Sequence, residues 1–413
     1  MRRTLYTVCV VALLSALLVL PPVSAATTWY VDDSGGADFS TIQDAVNASA
    51  DGDTIIVRDG TYSENVLVNK SLTIQSENGS GSTTVARPSG PLADHRFAVS
   101  ADYVTISGFT LKGGITDCGK AGVGLIGVAY CNITDNVAIN DSYGIRLLSG
   151  SNNNSITNNL LRENYKGIEL SGASNDNLIL ENNASSNADY GIWIESSHRN
   201  IVTHNIVSRA EGGGNIFLLG SNSNSITYNT ISLANAESGG WVGIMVQSGA
   251  DNRIYLNNFI DNGFNAATAY IDGNIWNSTE PVEYTYNGTT YESYLGNYWD
   301  DYAGNDTDGD GIGDTPYNIY KSTDYDYYPL MAPIAQYFGA PEVCGDVNTD
   351  GKLTLGDGRL VYLHVIYGDD EYPLANPWAA DVNDDGKITM GDGRLVYLHV
   401  IYGAGEYPLE CGS

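Results

Sequence analysis

Two short acidic segments near the C-terminus have the residue types and spacing of a calcium-binding loop. In the first, oxygen-bearing side chains alternate along the chain, Gly351 allows a sharp turn, and Asp357 occupies the twelfth position. Calcium prefers hard oxygen ligands, and alternate positions of a tight loop can converge on one ion. The predicted ligands of the first loop are Asp346, Asn348, Asp350, Lys352 through its backbone carbonyl, Thr354 through a water, and Asp357.

The same pattern recurs about 35 residues later, again followed by the segment GDGRLVYLHVIYG. A single acidic loop could be a solvated turn, whereas two loops in register, each followed by the same helical segment, favour calcium binding. The predicted ligands of the second loop are Asp381, Asn383, Asp385, Lys387, Thr389 and Asp392.

The paired loop-helix motifs, from about Cys344 to Cys411, resemble a type I dockerin module. The resemblance implies a calcium-folded domain whose partner is a cohesin domain on a scaffold or cell-surface protein. This chain has Leu355-Gly356 and Met390-Gly391 where well-known bacterial dockerins carry a small hydroxyl pair. The two helices nevertheless repeat the same side chains, so we expect either helix to bind the partner. The predicted partner-binding residues are Arg359, Tyr362, Arg394 and Tyr397.

A third acidic segment lies upstream of the dockerin-like region. Its aspartates alternate around two glycines as in a calcium loop, but Tyr317 occupies the twelfth position. The pattern is equally compatible with a plain acidic turn. The predicted ligands of this third calcium site are Asp306, Asp308, Asp310, Ile312 and Asp314.

The middle of the chain is built from repeats of about 23 residues that each contain a Gly-apolar-x-apolar segment and no helical period. Such short strands cannot bury their own apolar face, but stacked coils about 4.8 Å apart form a continuous core. The pattern predicts a mainly β protein, a right-handed parallel β-helix. Inward asparagines at its turns are predicted to form a hydrogen-bonded ladder. They are Asn136, Asn159, Asn182, Asn205, Asn229 and Asn258.

Both ends of this region fit a capped solenoid. A short amphipathic helix around Phe39 to Ala48 can cover the first coil, and an aromatic and acidic segment closes the last. From Trp29 to Met331 the chain resembles the NosD family of β-helix proteins, which is related to sugar-binding and sugar-hydrolysing solenoids. NosD relatives are associated with copper delivery, and copper prefers His, Cys and Met ligands. The soft ligands here form no spaced cluster: His95, His198, His204, Met245 and Met331.

The repeats also predict a row of outward side chains, one per coil. The row comprises Arg146, Glu169, Trp193, Phe217 and Met245. Glu195 lies one coil from Glu169, and the two Cα atoms are expected about 8 Å apart, a separation suited to carboxylates that flank a hydrolytic water. We therefore consider Glu169 and Glu195 as candidate catalytic residues, and Trp193, Arg146 and Phe217 as candidate glycan-binding residues. The alternative is an ordinary solvated face.

The N-terminus predicts secretion. Arg2 and Arg3 precede an apolar run that ends before small residues near Ala25, which is typical of a signal peptide. Its removal changes the formal charge from −30 to −32, because two arginines are lost. So negative a chain is not expected to bind nucleic acid or anionic membranes. The predicted regions are a signal peptide (1–25), a β-helix (26–331), a linker (332–343) and a dockerin (344–413).

Four cysteines remain after loss of the signal peptide, which allows three pairings. Proximity in sequence favours Cys118 with Cys131, and the bracketing of the dockerin favours Cys344 with Cys411. Several Asn-x-Ser/Thr sequons add potential glycosylation sites.

Two classes of function follow from these features. The first is a secreted, non-catalytic β-helix that binds polysaccharide or builds a surface assembly. The second is a polysaccharide hydrolase or lyase of the pectin-lyase-like fold. In both, the dockerin would deliver the solenoid to a cohesin-bearing scaffold, as in a cellulosome.

Overall fold

The computed structural model describes residues 26–89, 94–114, 119–234, 242–270 and 273–338. Further toward the C-terminus it describes residues 344–345, 347, 353–368, 374, 378–383, 387–402, 409 and 411. The predicted signal peptide lies outside these residues. No helix within the described ranges is both long and apolar enough to cross a membrane.

Most strands stack into a parallel β-helix of about nine turns with three sheets, A, B and C. Sheet A consists of Thr28–Val31 (β1), Thr54–Val57 (β2), Thr73–Ser76 (β5), Thr105–Ser107 (β8), Asn132–Thr134 (β11), Ser155–Thr157 (β14), Leu178–Leu180 (β17), Ile201–Thr203 (β19), Ser225–Thr227 (β22) and Arg253–Tyr255 (β25).

Sheet B has two parts, joined through isolated bridges at Asn183. They consist of Gly60–Ser63 (β3), Thr83–Ala86 (β6), Thr110–Lys112 (β9), Val137–Ile139 (β12) and Leu160–Arg162 (β15), and then Ile206–Ser208 (β20), Thr230–Ser232 (β23), Asn258–Ile260 (β26) and Tyr298–Trp299 (β30).

Sheet C has nine strands, several of which are longer than those of the other sheets. They are Val66–Val68 (β4), Phe97–Val99 (β7), Ala121–Ile126 (β10), Tyr143–Leu148 (β13), Lys166–Leu170 (β16), Tyr190–Glu195 (β18), Gly214–Leu219 (β21), Val242–Gln247 (β24) and Phe264–Ala269 (β27).

Helices and hairpins occupy the ends of the solenoid and the dockerin region. The hairpins pair Val282–Tyr286 (β28) with Thr289–Ser293 (β29), and Tyr317–Asn318 (β31) with Tyr325–Asp326 (β32). The helices are Ile42–Ala48 (α1), Ala335–Phe338 (α2), Leu355–Tyr367 (α3) and Met390–Tyr402 (α4), with a 3-10 helix at Trp378–Ala380.

The core follows from the alternation of side chains along each strand. In sheet A the central residue of each short strand points inward, so that Ile133, Ile156 and Ile179 lie one above the other and are fully buried. At the N-terminal end α1 covers the first coil with Ile42, and Thr41 caps the helix by accepting from the Asp44 amide. The predicted β-helix with an N-terminal capping helix is confirmed.

Buried asparagines form the predicted ladder, with one correction at its end. Each side-chain amide nitrogen donates to the side-chain oxygen of the asparagine in the next coil, for example from Asn182 to Asn205 at 3.1 Å. The ladder continues from Asn229 to Asn257 and not to Asn258. Asn258 begins β26 and accepts from the Ile334 amide instead. The ladder comprises Asn136, Asn159, Asn182, Asn205, Asn229, Asn257 and Asn297.

A second ladder, which the sequence analysis missed, runs beside sheet A. It comprises Asn154, Asn177, Asn200, Asn224, Asn252 and Asn274. Cys131 stands one coil before Asn154, and its amide donates to the Asn154 side chain at 2.9 Å. Its thiol is free and buried in the core. The expected disulfide from Cys131 to Cys118 is therefore absent, and Cys118 lies outside the described residues.

The dockerin region contains the second expected disulfide and a close helix pair. Cys344 bonds to Cys411 across 67 residues, with a Cα–Cα distance of 5.5 Å. Helices α3 and α4 cross at Gly358 and Gly393, where an added Cβ at either glycine would lie 2.9 Å from the carbonyl oxygen of the other. This approach requires the absence of a side chain at both positions.

Candidate functional site

The outward row predicted on sheet C is formed by the strand register. Arg146 pairs with Glu169, Glu169 with Trp193, Trp193 with Phe217, and Phe217 with Met245. Successive strands of a parallel sheet lie about 4.8 Å apart, so the row extends along the solenoid axis. The sequence periodicity therefore brings together the side chains that it was expected to bring together.

Glu169 lies at the centre of an ion-pair cluster. Its carboxylate accepts from the Arg146 guanidinium at 2.8 Å and from the Lys166 ammonium at 2.9 Å. The Ser171 hydroxyl donates to the same carboxylate at 3.2 Å. The Glu169 side chain is only 4% exposed. Both oxygens are engaged, so the arrangement holds Glu169 in place and does not present it to a substrate.

Trp193 is enclosed along the solenoid axis. The Lys166 ammonium lies 3.7 Å from the centroid of its ring, and the Phe217 ring stacks on it at 4.6 Å with an interplanar angle of 13°. Tyr190 packs edge-on at 4.7 Å. Because Lys166 belongs to the preceding coil and Phe217 to the following one, the indole offers solvent an edge and not an open ring face. Phe217 itself is only 8% exposed.

Glu195 is the more accessible of the two carboxylates considered for catalysis. It is half-buried, and the indole nitrogen of Trp193 donates to it at 3.4 Å. The register places Leu170 opposite Ile194, so Glu195 lies one coil beyond Ser171. The two carboxylates share one face of sheet C, but the ion pairs of Glu169 leave Glu195 without a free carboxylate partner there.

The sequence analysis missed the residues that complete this cluster. Tyr143 lies under the Arg146 guanidinium at 4.2 Å, and both Tyr143 and Tyr190 approach Lys166. The pKa of Tyr143 is raised, first by burial and then by the Glu169 charge. The signal was present in the sequence, since Tyr143, Lys166 and Tyr190 all directly precede the glycine of the repeated strand motif.

The two calcium-type loops end in matching helix caps. The Thr354 amide and hydroxyl donate to one oxygen of Asp357 at 2.9 and 3.0 Å, and those of Thr389 donate to Asp392, both at 2.8 Å. The other oxygen, Oδ1, of both aspartates is buried and has no hydrogen-bond partner. A buried carboxylate oxygen without a hydrogen-bond donor destabilises the folded protein unless a cation coordinates that oxygen.

The unpartnered Oδ1 atoms of Asp357 and Asp392 fit the oxygen ligands that calcium prefers. Asp357 and Asp392 are the twelfth-position residues of the predicted loops, and both are fully buried. Asp381, Asn383, Lys387 and Thr389 are described in the second loop, and Thr354 in the first. The remaining predicted ligands lie outside the described residues: Asp346, Asn348, Asp350, Lys352 and Asp385.

The predicted partner-binding residues separate into two groups. Arg359 and Arg394 are exposed at equivalent positions of α3 and α4. Tyr362 and Tyr397 are half-buried, with ring centroids 5.8 Å apart, and each ring lies over the glycine of the opposite helix at the crossing. The two tyrosines therefore hold α3 against α4, which leaves the arginines as the accessible repeated pair.

The acidic loop before the dockerin has three converging carboxylates. One oxygen from each of Asp306, Asp308 and Asp310 lies within 4.8 Å of the others. Asp306 also accepts from the Gly309 and Gly311 amides, at 2.7 and 2.9 Å. Burial raises the pKa of Asp310, and the neighbouring carboxylates raise it further. Asp314 is directed instead to Thr307, and Ile312 takes part in a bridge to Leu330.

The soft metal ligands of the described residues lie apart. His95 accepts from the Ala121 amide, and His198 accepts from the Asn222 amide. His204 contacts Thr203 and stacks on the Tyr228 ring at 4.9 Å. Across the described ranges, only the aspartate group at 306–310 brings three His, Cys, Asp or Glu side chains together. The described residues do not fit a copper site.

Comparison with known families identifies both parts of the chain. Residues 46–304 match the family model described as periplasmic copper-binding protein (NosD). The chain belongs to the NosD family. Its C-terminal part, residues 344–398, matches the dockerin type I domain. The two resemblances inferred from repeats and loops are thus confirmed, and this NosD protein carries a domain of a calcium-binding type.

An individual relative matches only part of the chain. This chain is 36% identical over 104 residues to a cell surface glycoprotein of Methanothermus fervidus. The matched segment covers 25% of this chain and 16% of that protein. The chain thus spans about one sixth of the length of this relative.

The solved structures that resemble the fold include the following two. An alginate lyase from Paenibacillus sp. str. FPU-7 has a TM-score of 0.42 and 16% identity, covering 60% of this chain and 95% of that one. A DFA-IIIase from Arthrobacter chlorophenolicus A6 has a TM-score of 0.46 and 18% identity, covering 55% and 67%. At this identity the likeness concerns the fold alone.

Proposed function

We propose that this NosD protein is a secreted, non-catalytic β-helix that a calcium-dependent dockerin tethers to a cohesin-bearing scaffold. The observation that carries the proposal is the matched pair of buried, unpartnered carboxylate oxygens on Asp357 and Asp392. Metal binding of this kind contributes directly to folding, because the ligands of a small loop converge only when an ion is present. The domain order places the solenoid N-terminal to its attachment module.

Calcium binding can be tested without knowledge of the partner. Calorimetric titration of the full chain should reveal two tight sites, and Asp357→Asn and Asp392→Asn should each remove one of them. Chelation should increase amide hydrogen exchange in α3 and α4 while the β-helix strands stay protected. As a control, Asp176→Asn alters an exposed aspartate of the solenoid and should leave both sites intact. Unchanged exchange in α3 and α4 after chelation would contradict the proposal.

The exposed arginines supply the test of partner binding. Against a panel of type I cohesin domains, we expect calcium-dependent capture of the wild-type chain. Arg359→Glu and Arg394→Glu should each retain capture, because the other helix offers an equivalent surface, and the double variant should lose it. Loss of capture in one single variant would show that only one helix binds.

We further propose that the solenoid binds polysaccharide through the outward face of sheet C. The aromatic edges of Trp193 and Tyr190, together with the cation at Arg146 and the carboxylate of Glu195, supply both apolar and hydrogen-bonding contacts. The saturation of Glu169 by Arg146 and Lys166 supports binding rather than hydrolysis. Gel retardation in neutral and acidic polysaccharides, with Trp193→Ala as the variant, tests this proposal.

A third calcium ion at Asp306, Asp308 and Asp310 forms the last part of the proposal. Three carboxylates within 4.8 Å repel one another unless a cation or protons neutralise them. Asp308→Asn should remove one weak calcium site from the titration of the full chain and leave the two dockerin sites unaltered. A titration curve identical to that of the wild type would refute the third site.

A further inference from the structure

The face of sheet C extends beyond the predicted row to a pair of exposed aromatic rings at the C-terminal end. Phe264 follows Val242 in the register, and Tyr320 bridges to Ala267. The Tyr320 amide donates to the Ala266 carbonyl at 3.2 Å, and its carbonyl accepts from the Thr268 amide at 3.1 Å. Tyr320 thus prolongs sheet C by one strand position beyond β27.

The two rings form an open stack. Their centroids lie 4.5 Å apart with an interplanar angle of 14°, and Phe264 and Tyr320 are 39% and 42% exposed. The Lys321 ammonium lies 5.1 Å from the centroid of the Tyr320 ring. This pair differs from the enclosed Trp193 and Phe217 stack because a large part of its aromatic surface remains in water.

Tyr270 adds a second, independent observation at the same end. It follows β27 directly, is 84% exposed, and has a φ of 73°. The left-handed conformation recurs at the same turn of other coils, for example at Ser149, Ser196 and Ser248, so the exposure of the Tyr270 ring is what sets this position apart. An exposed ring held in that conformation gains nothing from core packing.

Among the described residues, the outward positions between the enclosed stack and the open stack carry no charge, and Phe217, Val242 and Ala267 among them are buried. The outward positions of β21, β24 and β27 are Gly214, Phe217, Leu219, Val242, Met245, Gln247, Phe264, Ala267 and Ala269. This is unusual for a chain with a net charge of −30. We call the strip from Trp193 to Tyr320 the aromatic track.

The dimensions of the aromatic track select its occupant. Four coil steps give a length of about 20 Å, and the three outward positions of each strand, the outermost of which lie five residues apart, give a width of about 17 Å. The resulting area of roughly 340 Å² is below the ~800 Å² that each partner of a stable protein complex buries. A second copy of this chain is therefore too large an occupant, whereas a single extended polymer fits.

We infer that one polysaccharide chain lies along the aromatic track, parallel to the solenoid axis, and that Phe264 and Tyr320 form a second sugar-stacking subsite. The inference rests on the proposed polysaccharide binding at sheet C. Sugar rings present apolar C–H faces, which match the exposed faces of the Phe264 and Tyr320 rings. Engagement of two subsites by one chain makes affinity depend on chain length.

The test measures dissociation constants of the full chain, with calcium present, for oligosaccharides of two to six units. One series is β-linked glucose and the other is galacturonic acid. We expect Tyr320→Ala to weaken binding of the six-unit ligand about fivefold or more and to leave the two-unit ligand within about twofold. Tyr320→Phe keeps the ring and should bind nearly as the wild type. Tyr130→Ala removes an exposed tyrosine stacked on Tyr103 away from sheet C, and serves as the matched control.

The outcomes separate this inference from the proposal beneath it. If Trp193→Ala weakens binding but Tyr320→Ala binds every length as the wild type does, the second subsite is overturned and the proposed binding at sheet C stands. If the wild type binds neither series, both fail. If light scattering shows a dimer that Tyr320→Ala dissociates, the aromatic track is a contact between copies and the inference is overturned.

Discussion

The backbone amide of Asn297 donates to the buried carboxylate of Asp326 at 2.7 Å, and this hydrogen bond ends the first asparagine ladder. Along that ladder each asparagine donates its backbone amide and its side-chain nitrogen to the side-chain oxygen of the next asparagine, so the last one needs an acceptor that no further coil supplies. Asp326 supplies it and also accepts from the Trp299 indole at 2.8 Å. The hairpin that carries Asp326 thereby closes the solenoid.

The stability of this closure is expected to depend on pH. Burial raises the pKa of Asp326 from 3.8 to about 6, although the donor groups of Asn297 and Trp299 act in the opposite direction. Because the folded-state pKa is raised, the folded protein binds the proton more tightly than the unfolded chain. The contribution is fully present below about pH 4 and is lost as pH rises through about 6.

Asp326→Asn should remove this dependence. Between pH 4 and pH 7 the unfolding free energy of the wild type, measured relative to the variant, should fall by about 2 kcal/mol. Denaturant unfolding of the β-helix followed at several pH values provides the measurement. Parallel pH profiles of the two proteins would show that Asp326 does not titrate in this range.

The asparagine ladder is expected to stabilise the solenoid strongly at each coil. Asn205 donates to Asn229 at 3.0 Å and accepts from the Asn182 side chain at 3.1 Å, while fully surrounded by protein. Asn205→Ala should therefore lower the unfolding free energy by about 2 kcal/mol or more, since it leaves buried groups without partners. Asn47→Ala changes an exposed asparagine of α1 and should be close to neutral. Equal melting temperatures of the two variants would contradict a stabilising role of the ladder hydrogen bonds.

The Glu169 cluster is expected to be structural. Glu169→Gln leaves Arg146 and Lys166 without a counter-charge in a mostly buried site, so it should cost about 3 kcal/mol of unfolding free energy. Asp176 pairs with Arg199 across the same coil spacing but in solvent, and Asp176→Asn should cost less than about 1 kcal/mol. Thermal unfolding of the Glu169→Gln and Asp176→Asn variants measures this difference in stability. A Glu169→Gln protein of native stability that had lost polysaccharide cleavage would instead support a catalytic carboxylate.

The helix crossing of the dockerin region gives a prediction about packing. A Cβ at Gly358 would lie 2.7 Å from the Tyr397 ring and 2.9 Å from the Gly393 carbonyl oxygen. Gly358→Ala should therefore force α3 from α4 and weaken calcium binding by destabilising the folded loops. Gly391→Ala meets only the Thr389 hydroxyl, at 3.1 Å, and should be tolerated. Calorimetric calcium titration of both variants provides the comparison.

The local periodicity of the sequence was sufficient to predict the stacked coils, the outward row of sheet C and the dockerin. Repeats of about 23 residues predict stacked coils, because a strand of three residues cannot bury its inward side chain without neighbours above and below. The same spacing placed Arg146, Glu169 and Trp193 in one row, since side chains at equal positions of successive coils must superpose. The repeated loop-helix segments identified the dockerin for a similar reason. Their ligand spacing is a local property of the chain.

Other features depend on contacts that spacing does not encode. Whether Asn257 or Asn258 enters the ladder is decided by which of them faces the core, and the longer last coil hides this in the sequence. The role of Glu169 depends on Lys166 and Arg146 reaching it from two strands. Tyr320 joins sheet C from a closing segment about 50 residues after β27, where no repeat continues. Side-chain partnerships and chain closure are non-local, so only the tertiary structure decided them.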